Sequence, residues 1–119
     1  MLKKIIDDVK HIFRAFKYSW QGLVYVFKNE IAFRQDVLFF LICSVISFLL
    51  PVSSVSRAIM IFSLFFILLM EMVNTAIEVV INRISTERHP LSGVAKDIGS
   101  ALVLLAFLNA IIVWLFILI

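Results

Sequence analysis

Residues 58–81, AIMIFSLFFILLMEMVNTAIEVVI, are apolar enough to cross a membrane and yet carry charge. Its first thirteen residues, Ala58 to Met70, carry no charge. As one helix the 24 residues would be about 36 Å long, more than the roughly 30 Å of a bilayer's hydrocarbon core. The second half nevertheless carries Glu71, Asn74, Thr75 and Glu78, with Asn82 one residue beyond it. A membrane segment that keeps two carboxylates and an amide needs a reason for them.

The rest of the chain supports a lipid-facing reading. Of its 119 residues, 63% are hydrophobic, above the roughly half expected of a soluble globular chain, and the mean hydropathy is +1.10. A 13.7 kDa soluble domain could not hide that many apolar side chains. With twelve Phe, three Gly and two Pro, the composition favours long helices. The apolar runs do not alternate as the strands of a membrane barrel would. The length suits one domain, residues 1–119. Cys43 is single and lies in an apolar run, so it forms no disulfide within the chain.

Two further apolar runs flank residues 58–81. Val37 to Val52 is 16 residues long and needs its flank from Ala32 to cross. Ile98 to Ile119 has 22 uncharged residues and spans easily. The expected transmembrane helices are therefore about 32–52, 58–81 and 98–119, with a turn at Pro51 and its neighbouring serines. Before them, residues 3–28 place Ile5, Ile6, Val9, Ile12, Phe13, Phe16, Trp20, Leu23, Val24 and Phe27 at gaps that keep to one helical face. Lys10, Arg14, Lys17 and Gln21 fall opposite, which predicts an amphipathic helix lying in the membrane interface. No small-residue cleavage site follows it, so it does not read as a signal peptide.

Charge sets the orientation. Seven basic residues precede the first span (Lys3, Lys4, Lys10, Arg14, Lys17, Lys28, Arg34), and Arg83, Arg88 and Lys96 lie between the second and third. Only Arg57 lies between the first and second. The side holding ten of the eleven is cytoplasmic by the positive-inside rule, and with it the N-terminus. Basic residues placed at the edges of apolar runs suit this topology and argue against nucleic acid as a partner.

Glu71, Asn74, Thr75, Glu78 and Asn82 follow one another at spacings of 3, 1, 3 and 4, a single stripe on the second span. A carboxylate inside a bilayer costs about 2.5–3.5 kcal/mol even on the lenient insertion scale. A polar seam gluing helices together would explain Asn74 and Thr75 but not two acids. Two functional readings remain. One is a proton or ion relay in a small transporter; the other is metal-assisted chemistry at the membrane surface. The segment NRISTERHPLSGVAKDIGS, read as a loop, adds Glu87, His89, Lys96 and Asp97 on the cytoplasmic side, and Glu30 precedes the first span on that side. Mg²⁺ is commonly held by one or two carboxylates plus substrate phosphates, a lysine neutralises phosphate charge, and a carboxylate base takes a hydroxyl proton. Those parts suit transfer of a phosphoryl group from a soluble nucleotide to a lipid hydroxyl. Neither G-x-x-x-x-G-K-[ST] nor G-x-G-x-x-G is present, so any nucleotide site is not a P-loop. His11 and His89 are not spaced as a metal pair.

The blocks YSWQGL (18–23), NEIAFRQD (29–36) and EMVNTAIEVVINRISTERHPLSGVAKDIGSA (71–101) resemble the small integral-membrane diacylglycerol kinases of bacteria, from about residue 11 to the end. The resemblance implies an all-α homotrimer of three-span subunits, each with an N-terminal surface helix, in the bacterial cytoplasmic membrane, using MgATP on diacylglycerol. It implies Glu71 as catalytic base with Asn74 beside it, and Glu30 and Glu78 as metal ligands. Tyr18, Glu87, His89, Lys96, Asp97 and His11 match nucleotide-contacting positions. Ala15, Ser19, Trp20, Arg34, Gln35, Arg57 and Ser100 match positions lining the lipid site. The chain departs from the family pattern where His11 stands for a common arginine, Asn82 for a common aspartate and Arg88 for an aromatic residue. A second branch of the family phosphorylates undecaprenol; YSWQGL and AFRQD look more like the diacylglycerol branch.

Overall fold

A computed structural model describes all 119 residues and contains four helices: α1 (Leu2–Asn29), α2 (Ile31–Leu49), α3 (Ser54–Ile84) and α4 (Pro90–Leu118). The chain divides into two units, Met1–Ile31 and Ala32–Ile119. The first is essentially α1, one unbroken helix whose only buried residue is Val26. The second holds α2, α3 and α4, each long and apolar enough to cross a membrane.

Helices α3 and α4 overrun the apolar stretches that announce them, whereas α2 ends short of its own. The helix expected over 32–52 stops at Leu49, ahead of Pro51, which cannot continue it. The helix expected to begin at 58 begins at Ser54, because the hydroxyl of Ser53 caps it by accepting from the Ser56 N–H (3.1 Å). It runs on to Ile84, 31 residues or about 46 Å, longer than a hydrocarbon core of about 30 Å requires. The largest correction concerns the segment read as a loop over 82–100. Only Ser85–His89 is non-helical. Pro90 opens α4, where its missing N–H is not needed, and the Nδ1 of His89 accepts from the Leu91 N–H (3.1 Å). Lys96, Asp97 and Ser100 therefore sit on a helix, and α4 begins eight residues before the expected span at 98.

α3 and α4 form the tightly packed pair. The buried residues of α4 are all small: Gly99, Ala106 and Ala110. Larger α3 side chains, among them Leu64, Ile67 and Leu68, are buried in return. In lipid, burying an apolar side chain against another brings little hydrophobic gain, so close backbone approach over small residues is what joins helices. The Trp114 Nε1–H donates to the Met60 carbonyl across this pair (3.3 Å). α2 joins through aromatic rings, Phe40 against Phe65 (6.1 Å between centroids) and Phe39 against Phe107 (6.2 Å).

Arg57 closes the α2–α3 turn. Its Nε donates to the Ser47 carbonyl (2.9 Å), and its Nη2 to those of Leu50 (3.1 Å) and Val52 (3.3 Å). Its guanidinium also lies over the Phe48 ring, 5.1 Å from the centroid. A helix end leaves carbonyls without intrahelical partners, and the fork of donors on Arg57 supplies bonds to them. The buried hydroxyls of Ser47 and Ser63 are likewise satisfied locally, donating to Ser44 O and Met60 O (both 2.6 Å).

Candidate functional site

The polar stripe of α3 survives as one helical face, graded in depth. Glu71 is buried at 8% exposure and Thr75 at 3%; Asn74 and Glu78 are half-buried, and Asn82 is exposed. The Thr75 hydroxyl donates back to the Glu71 carbonyl (3.0 Å) and so makes no demand on a partner helix. Glu71 and Glu78 are two turns apart, about 10 Å along the axis. The stripe thus runs from the buried middle of α3 to its exposed C-terminal turns.

At that end α3 and α4 flank an open cavity of about 500 Å³, lined among others by Asn82, Glu87, Arg88, His89, Ser92 and Lys96. The Lys96 Nζ donates to the Oδ1 of Asn82 (3.3 Å), tying the last turns of α3 to the first of α4. Asn82 is neutral, so this bond leaves the ammonium charge of Lys96 uncancelled, whereas an aspartate there would pair with it. Two cations, one carboxylate and several hydroxyls around such a volume form a polar bay next to the carboxylate stripe.

Of the residues singled out in the sequence, Glu87, His89 and Lys96 line this bay; Asp97 and Ser100 occupy the same turns of α4, exposed but off its wall. His11, Ala15, Tyr18, Ser19 and Trp20 are all exposed on α1, the first three sharing a face at spacings of four and three. Glu30 is the C-terminal cap residue of α1 and is half-buried. Arg34, half-buried, and Gln35, exposed, stand in the first turn or so of α2. Arg57 is at the opposite end of α3 from the bay, with its donors committed to the α2–α3 turn.

Mg²⁺ fits this donor set only as a shared ion. No three His, Cys, Asp or Glu side chains gather closely enough to hold a metal alone. A Mg²⁺ carried on nucleotide phosphates needs only one or two protein carboxylates, which Glu78 and Glu30 are of the type to supply.

One residue escaped the sequence reading. Gly99 is buried on α4 facing α3, and a Cβ placed on it would collide with the Oδ1 of Asn74. Glycine inside a helix costs about 0.8–1.0 kcal/mol relative to alanine, so its presence mid-helix was the available signal that a neighbour comes close.

A sequence model of the prokaryotic diacylglycerol kinase family matches residues 17–118. The diacylglycerol kinase of Escherichia coli (strain K12) is 45% identical over 103 residues, covering 87% of this chain and 84% of the relative. That of Haemophilus influenzae is 44% identical over 104 residues (87% and 88%), and that of Pseudomonas aeruginosa 42% over 106 (89% and 86%).

Proposed function

This chain belongs to the prokaryotic diacylglycerol kinase family, and from that premise we propose that the α3 stripe and the bay beside it transfer the γ-phosphoryl group of ATP to diacylglycerol, giving phosphatidic acid. The observation that carries the reading is the graded stripe: a buried carboxylate, Glu71, one turn from an amide and two turns from a second carboxylate, Glu78, beside a bay holding Lys96. Diacylglycerol is confined to the bilayer and ATP to water, so the reaction needs a site at the boundary, which a buried carboxylate beside an exposed bay suits. A proton relay would need no such bay, and the names of the relatives favour diacylglycerol over undecaprenol.

In this mechanism Glu71 accepts the proton of the diacylglycerol hydroxyl as its oxygen forms a bond to the γ-phosphorus. The bond from that phosphorus to the β–γ bridging oxygen breaks, and ADP leaves. Asn74 and Lys96 stabilise charge on the phosphoryl oxygens. Glu78 and Glu30 are the carboxylates that would hold the Mg²⁺ accompanying ATP, and its charge would offset that of the phosphates. Tyr18, His11, Glu87, His89 and Asp97 hold the nucleotide; Ala15, Ser19, Trp20, Arg34, Gln35 and Ser100 line the lipid's approach. Arg57 joins that lining only at the far end of the span. The chain acts as a homotrimer in the bacterial cytoplasmic membrane, with its N-terminus cytoplasmic and α1 lying in the interface.

Mixed micelles offering diacylglycerol and undecaprenol side by side with MgATP test the reading. Phosphatidic acid is expected as the main product. Mainly undecaprenyl phosphate moves the chain to the other branch, and no ATP consumption with either lipid overturns the kinase reading.

The metal assignment is tested separately. Glu78→Gln and Glu30→Gln are each expected to raise the Mg²⁺ concentration for half-maximal activity. A variant with reduced activity but an unchanged Mg²⁺ requirement removes that residue from the ligand set.

A further inference from the structure

Asn74 and Gly99 meet where α3 and α4 come together. The oxygen of the Asn74 carboxamide lies too close to the position that the Cβ of any larger residue at 99 would take, and Cγ is 3.3 Å from that point. This Oδ1 is buried and accepts no hydrogen bond. It lies on the side of Gly99 where a Cβ would project, and a Cα–H there is a weak donor that suits an amide oxygen better than an NH₂ group. A carboxamide is planar, with oxygen and nitrogen on opposite sides of Cγ. An oxygen turned into the seam turns the NH₂ out of it, and Glu71 stands one turn before Asn74 on α3 and Glu78 one turn after.

We propose that Gly99 is a positioning residue: it seats the Asn74 carboxamide oxygen-inward, so that the NH₂ faces the reacting centre and donates to the oxygens of the phosphoryl group in transfer. This rests on the reading of the α3 stripe as the catalytic site. The opposite orientation would present a carbonyl oxygen to those oxygens and repel them. No hydrogen bond to the buried oxygen enforces the choice; the shape of the seam does, and glycine is the residue that leaves room for it.

The test is a double-mutant cycle on the full chain in mixed micelles, reading kcat and both KM values together with thermal stability. Gly99→Ala favours a helix intrinsically, so weakening of α4 does not account for a loss. Gly99→Ala is expected to lower kcat about 10²-fold, the scale of losing one donor aimed at transition-state charge, with both KM values little changed. Asn74→Ala is expected to fall as far. The double variant, with the colliding amide gone, is expected to equal Asn74→Ala within about twofold, because removing Asn74 leaves Gly99 nothing to position. Asn74→Asp, which keeps the oxygen and lacks the donor, is expected to fall like Asn74→Ala. A near-normal kcat in Gly99→Ala, additive losses in the double variant, or activity retained by Asn74→Asp overturns the positioning role. Should Gly99→Ala alone fail to assemble, the double variant decides. Assembly with the kcat of Asn74→Ala supports the proposal; failure to assemble shows a packing role only and overturns it. Loss at Asn74 without loss at Gly99 leaves the catalytic reading standing, whereas full activity in Asn74→Ala ends both.

Discussion

Glu71→Gln is expected to leave a folded, membrane-inserted protein that turns over about 10²–10⁴-fold more slowly. Glutamine keeps the length and shape of the side chain, so the packing around a residue only 8% exposed changes little. It cannot accept the hydroxyl proton, and the attacking oxygen must then shed that proton without help. The loss belongs in kcat rather than in the KM for MgATP, because Glu71 lies two turns below Glu78 and further from the bay. Steady-state assays of phosphatidic acid formation, with thermal stability as the control for folding, decide it. Near-normal turnover would remove Glu71 from the role of base. A proton-coupled carrier would show a different pattern, with no ATP consumed by either form.

The second large effect is a recovery. Asn74 and Glu78 are only half-covered within one chain, and many large apolar residues on α2, α3 and α4 remain exposed, including Phe62 and Phe116. Neighbouring subunits supply the missing wall if the active form is a ring, with α1 of one chain reaching the stripe of the next. A chain carrying Ser19→Arg has a spoiled α1 and a sound stripe; one carrying Glu78→Gln has the reverse. Each alone is expected to be nearly inactive. Unfolded and reassembled at equal amounts, about a quarter of the head-to-tail interfaces would pair a sound helix with a sound stripe, so about a quarter of wild-type activity is expected to return. If the mixture stays as inactive as its parents while wild-type chains recover fully in parallel, each site is built from a single chain.

Much of this was legible without coordinates. The three apolar runs mark helices long enough to cross lipid because hydropathy and run length are local properties, set by the solvent each segment must face. The stripe was legible for a similar reason: spacings of three and four place Glu71, Asn74 and Glu78 on one face of any α-helix, whatever it packs against. Helix ends were less legible. The apolar criterion stops at Ile81 and resumes at Ile98, but the backbone continues through polar residues once Pro90 and the cap at His89 can start a new helix. Lys96 is thereby carried by a helix opposite Asn82 rather than by a loop.

Read alone, the residues specify an all-helical chain with three segments fit to span a membrane, a family resemblance strong enough to suggest the chemistry, and two carboxylates and an amide on one face of a single helix. Packing between helices, which no local pattern announces, commits Arg57 to the carbonyls at the end of α2, brings Lys96 to Asn82 and leaves room at Gly99 for the Asn74 oxygen. The physical reason lies in range. Helix formation and membrane partitioning depend on residues within a few turns of one another. The contacts that orient the site depend on which faces of α3 and α4 come together, and small residues set that closeness only after both helices exist.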